Sequence, residues 1–145
     1  MPQGIVFQNI GQHDDMYEFK VTSSDGVSTF INAIYVGYST YDDLIAGLDR
    51  FKHQIYGGIF DIEIGSFGPE YASGAFTARL HFQERGIIYV SIQAQSDFVD
   101  FGKKNIASEA KLFFKTEPAL LDNFIQQLKQ LKSNTTNEAS LQIAL

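Results

Sequence analysis

Residues 74–94 read GAFTARLHFQERGIIYVSIQA, and the fold follows from how they alternate. Phe76, Ala78, Leu80 and Phe82 are interleaved with Thr77, Arg79, His81 and Gln83. Ile88, Val90, Ile92 and Ala94 are interleaved with Tyr89, Ser91 and Gln93. A period of two puts one apolar and one polar face on each run, so the stretch predicts two half-buried strands. Glu84, Arg85 and Gly86 fall between the runs, where a glycine free to adopt positive φ lets the chain reverse. The stretch is a hairpin at the centre of a sheet, with one face on a core and the other turned outward.

Strands are expected on either side of it. Tyr17, Phe19 and Val21 alternate with Glu18, Lys20 and Thr22 after a short apolar run over 5–10 and a Gly-Gln-His-Asp-Asp loop. Asp25-Gly26 then marks a tight turn into a strand over 27–36. That strand carries Asn32 in apolar company, where a buried amide must find a hydrogen-bond partner. Phe60, Ile62 and Ile64 alternate with Asp61 and Glu63, giving a strand with two outward carboxylates. Ala110, Leu112 and Phe114 alternate with Lys111, Phe113 and Lys115 in the last strand.

Two segments change to the helical period. Leu44, Leu48, Phe51 and Ile55 form a stripe over 41–56, with Thr40 as the expected cap, Asp42 and Asp43 near the positive end, and Gly57-Gly58 as the stop. Leu120, Leu121, Phe124, Ile125, Leu128 and Leu131 form the second stripe, entered through Glu117-Pro118. Residues 65–73, with Phe67, Glu70 and Tyr71, and residues 96–105, with Asp97 and Asp100, read as connections. The expectation is an α+β domain over 1–132. Its mostly antiparallel sheet of about six to seven strands carries two helices on one face in the order βββαββββα, followed by a partly frayed tail over 133–145 that frays as far as Ala139 and whose Leu141, Ile143 and Leu145 either fray too or dock as a short terminal strand or turn. No internal repeat is visible in the sequence.

Composition narrows the chemistry. There is no cysteine, which excludes disulfides, thiolate metal sites and thiol nucleophiles and favours a cytoplasmic setting. No stretch has the length and apolarity of a membrane span. Seventeen Asp and Glu against eleven Lys and Arg give a net charge of −6, which disfavours nucleic acid and favours a basic protein partner. His13, His53 and His81 share no ligand spacing, so neither a metal nor a cofactor is expected. A Ser91, His81 and Asp61 triad lacks a nucleophile turn, and Asp61 with Glu63 is the spacing of any exposed strand, so no catalytic residue is assigned.

The helix YDDLIAGLDRF, the strand GIFDIEIG, the central hairpin, the strand EAKLFFKTE and the closing EPALLDNFIQQLKQL together resemble immunity proteins of bacterial polymorphic toxin and contact-dependent growth inhibition systems. The resemblance is one of layout over 41–131, and Asp43, Leu44, Phe51, Gly86 to Val90 and Glu117 to Leu121 carry it. It implies a non-enzymatic inhibitor that binds a cognate toxin domain, often a nuclease. It supplies no binding motif, so candidate contacts rest on exposure and charge: Asp61, Glu63, Glu70, Tyr71, Arg79, His81, Tyr89, Asp97 and Asp100. The competing expectation is a small enzyme or ligand-binding domain using the outward face of the central hairpin. A structural subunit of a larger assembly is the third.

Overall fold

The computed structural model describes residues 3–68 and 73–145. It is an α+β fold. The chain runs through β1 (Gln3–His13), β2 (Met16–Ser24), β3 (Thr29–Gly37), α1 (Tyr38–Phe51), β4 (Ile59–Gly65), β5 (Ser73–Glu84) and β6 (Ile87–Asp97). It continues through β7 (Val99–Phe101), β8 (Lys104–Ile106), β9 (Glu109–Thr116), α2 (Pro118–Lys132) and β10 (Glu138–Gln142). The strands form two antiparallel sheets, ordered β10-β1-β2-β3 and β4-β5-β6-β9, and a separate β7-β8 ribbon.

The central hairpin is β5-β6, reversed at Gly86 with φ of 82°. Thr77 faces Gln93, Arg79 faces Ser91 and His81 faces Tyr89. Phe76, Ala78, Leu80, Phe82, Ile88, Val90, Ile92 and Ala94 are all buried, so the two faces separate as the alternation requires.

The single sheet expected from the sequence is divided in two, and the division follows a repeated plan. Each sheet is a meander whose last strand enters a helix, and each helix delivers the first strand of the other sheet: β3 leads through α1 to β4, and β9 leads through α2 to β10. This topological repeat has no counterpart in the sequence, because alternation specifies which face is buried and not which neighbour a strand takes. One core serves both sheets. Phe7 of β1 stacks on Phe19 of β2, meets Phe76 of β5 edge-on at 5.7 Å and packs against Phe124 of α2 at 5.8 Å. At one end Asn32 of β3 donates its amide N–H to the Gln95 carbonyl of β6 at 2.9 Å, while among the described residues its buried Oδ1 finds no hydrogen-bond partner.

The helices run antiparallel, laced by Lys132–Asp42, Lys129–Asp49 and Lys52–Asp122 ion pairs at 2.7, 3.0 and 3.4 Å. Tyr41 is fully buried and its hydroxyl donates to the Leu128 carbonyl at 2.7 Å. α1 reaches both sheets, with Tyr41 against Phe19 and Phe51 against Phe82.

Boundaries differ from expectation in several places. α1 begins three residues early, with Gly37 at the cap position and no side-chain cap, so Thr40 lies inside the first turn. Asp42 is used by Lys132 of the facing helix instead of by the dipole. α1 ends at Phe51, before the two glycines, in a turn where the Lys52 N–H is held by the Leu48 carbonyl. The loop around His13 shrinks to Asp14-Asp15, both at positive φ, because β1 extends through His13. The Asp25-Gly26 turn lengthens to four residues, closed by Asp25 N–H to the Ser28 carbonyl and by the Asp25 carboxylate accepting from Val27 and Ser28.

Two segments are more ordered than expected. Residues 98–108 hold the β7-β8 ribbon. The expected tail contains β10, which pairs with β1 and buries Ala139 and Leu141 completely. Gln127 of α2 accepts from Ser140 N–H at 2.8 Å and Thr116 donates to the Gln142 carbonyl at 2.8 Å, so the strand is tied to α2 and β9 as well. Three apolar residues at period two, Leu141, Ile143 and Leu145, were the available sign of it.

Candidate functional site

The polar face of β4-β5-β6-β9 gathers most of the candidate residues, because the same alternation that buries one set of side chains turns the other set out together. Asp61 and Glu63 stand on β4, Arg79 and His81 on β5, and Tyr89 on β6. Asp97 lies at the far end of β6 opposite Ser73, and Asp100 belongs to the ribbon, where it faces Asn105; neither joins the face. Glu70 and Tyr71 lie outside the described residues.

Register puts Asp61 directly opposite Arg79, and the pair closes as a two-pronged ion pair: Nε donates to Oδ1 at 2.8 Å and Nη2 to Oδ2 at 3.0 Å. The guanidinium hydrogen bond holds the Asp61 carboxyl below its ordinary range and raises the Arg79 guanidinium. Glu63 faces Thr77 and among the described residues has no such partner. Tyr89 donates its hydroxyl to the Glu84 carboxylate, a bond that raises its pKa, and Lys115 Nζ lies 5.9 Å above its ring. Arg79 and Tyr89 are thus each held by a partner on the neighbouring strand.

β9 supplies what the sequence reading missed. Lys111, Phe113 and Lys115 face Gln93, Ser91 and Tyr89 in register, and the Phe113 ring is 65% exposed between the two lysines. The signal was present, since alternation with Leu112 and Phe114 sends Phe113 outward. Asp61, Glu63, Arg79, Ser91, Lys111 and Phe113 line a shallow, open depression of about 430 Å³. Charge varies across the face: β4 presents Asp61 and Glu63, β5 presents Arg79, β6 is neutral, and β9 presents Lys111 and Lys115 with Glu109 at its start.

The arrangement brings no serine triad together. Arg79 stands between Asp61 and Ser91, and His81 sits two pairs further along the ladder, opposite Tyr89. Among the described residues no group of three or more His, Asp or Glu side chains is placed to hold a metal ion. Among them, too, no helix is long and apolar enough to cross a membrane. No protein family, curated protein or solved structure matches this chain.

Proposed function

We propose that this chain is a non-enzymatic immunity protein that binds and neutralises a bacterial toxin domain, docking through the outward face of β4-β5-β6-β9. The observation that carries the reading is Phe113, a large aromatic residue standing 65% exposed in the middle of a mainly polar sheet face that has exposed Ile59 at its edge strand. Aromatic anchors surrounded by charge supply much of the energy of tight interfaces, and an open depression accepts a convex protein surface. The net charge of −6 favours a basic partner, as a nuclease toxin is where it holds phosphate. The order of helix, strand and hairpin elements over 41–131 supports the same reading. The chain acts in the cytoplasm, where such a toxin would meet its target.

A ligand-binding reading of the same face has less to stand on, because the depression is open and the Arg79 guanidinium is already engaged by Asp61. The test is co-expression with the toxin domain encoded beside the gene. Protection by the native protein, lost in Phe113→Asp at unchanged Tm, is the expected result. An absence of protection by the native protein overturns the proposal.

A further inference from the structure

The edge of β4 opens on a second groove, between that strand and α1. It is bordered by Val36, Asp43, Leu44 and five successive residues of β4, Phe60 to Ile64, and has a volume of about 240 Å³. Side chains of a strand alternate between faces, so a groove touched by five residues in a row runs along the backbone edge. The Gly58 carbonyl accepts from Phe82 N–H, and the Gly58–Phe82 pair continues the register in which Phe60 faces Leu80 and Ile62 faces Ala78. In an antiparallel ladder hydrogen-bonded and non-hydrogen-bonded pairs alternate. The N–H and C=O groups of Phe60 and Ile62 therefore point to β5, and those of Asp61 and Glu63 point away from it, into the groove. Among the described residues no backbone partner takes them.

We infer that the β4 edge receives an extended segment of a basic protein partner, which adds to the sheet as a fifth strand. The inference rests on the docking reading above and specifies how the partner engages. A strand laid on this edge hydrogen-bonds to Asp61 and Glu63, so the residues paired with them carry side chains on the same outward side as the two carboxylates. The position opposite Glu63 calls for Lys or Arg, as does the one opposite Asp61 even with Arg79 already on that carboxylate, and Asp43 across the groove adds a further acid. The intervening residues point inward beside Phe60 and Ile62, toward Val36 and Leu44, and call for aliphatic side chains. The segment recognised alternates basic and aliphatic residues. Asp61 and Glu63 border both this groove and the depression around Phe113, so the strand continues the same docking surface.

A labelled heptapeptide alternating lysine and valine, titrated against the intact protein by fluorescence anisotropy, tests this directly. Binding is expected to weaken by about tenfold when the same residues are rearranged into a lysine block and a valine block, which keeps the charge and removes the pattern. Glu63→Lys and Asp43→Lys are expected to weaken it further. The decisive comparison is backbone methylation. N-methylation of the lysines removes the N–H groups aimed at β4 and is expected to cost about tenfold or more, whereas N-methylation of the valines, whose N–H groups point away, is tolerated. No binding by the alternating peptide, equal binding by the block peptide, or equal loss from the two methylation patterns overturns the inference. If any of these occurs while the native protein still protects against its toxin, edge addition falls and the docking proposal stands.

Discussion

Leu141→Ala is the sharpest test of how the sheet of β1 is completed. Leu141 is fully buried on β10, pairs with Ile5 and lies within the common core. Truncating a core leucine to alanine costs about 2–5 kcal/mol, the transfer free energy of the lost atoms plus the cavity they leave. A central value of about 3 kcal/mol lowers Tm by roughly 10 °C in a domain of this size, and lowers the urea midpoint by about 1–2 M at unchanged m. Leu145, four residues on and 97% exposed, is the internal control. Leu145→Ala should stay within about 0.5 kcal/mol of the native protein. Urea unfolding followed by far-UV circular dichroism measures both. If Leu141→Ala costs no more than Leu145→Ala, β10 is not part of the cooperative core, and the account of the first sheet is wrong.

Gly47 of α1 sits against the Phe60 ring, which a Cβ would strike. Gly47→Ala gains about 1 kcal/mol of helix propensity but incurs about 1–3 kcal/mol of overpacking, so net destabilisation is expected in chemical denaturation, relieved by adding Phe60→Leu. Asn32→Ala removes the amide that bonds the Gln95 carbonyl and should cost about 1–2 kcal/mol in the same assay; a neutral result would show that the contact between the sheets at that end is dispensable. The Asp61 carboxyl, held below its ordinary value of 3.8 by Arg79, adds stability above that value that is lost as pH falls through the lowered pKa. In Arg79→Met, carboxyl NMR titration should show the Asp61 pKa rising, with little change in unfolding free energy because the pair is solvent-exposed. An unmoved pKa would mean that the ion pair does not persist in solution.

The parts of the fold that were legible are those fixed by local alternation. β5, β6, β4 and β9 each show one buried and one exposed set in the order of their residues, and Pro118 marks the start of α2 as expected. What was not legible depends on partners distant in the chain. Nothing near Ala139 or Leu141 says that β1 lies beside them, so a short apolar stretch after a polar run read as a tail. The start of α1 was missed because Gly37 occupies the cap without a side-chain bond, leaving Thr40 as the more conspicuous signal. The site divided in the same way. Asp61, Glu63, Arg79, His81 and Tyr89 were placed on one face by alternation, whereas the Asp61–Arg79 pairing needed the register and Phe113 needed its neighbours' lysines to become visible as a presented ring. Asp97 and Asp100 were chosen by charge alone, and the strand end and ribbon carry them away from that face.

The connection from α2 into β10 gives the chain a particular history as it leaves the ribosome. β1, β2 and β3 are made first, yet the other side of β1 has no partner until residues 138–142 have been synthesised. The second sheet, β4-β5-β6-β9, has all its strands available by residue 116. In vectorial synthesis the later half of the molecule can therefore be assembled while the earlier half still waits. During that interval the unpaired β1 edge depends on nascent-chain chaperones, or on its own rapid burial, to escape strand exchange with a neighbouring chain.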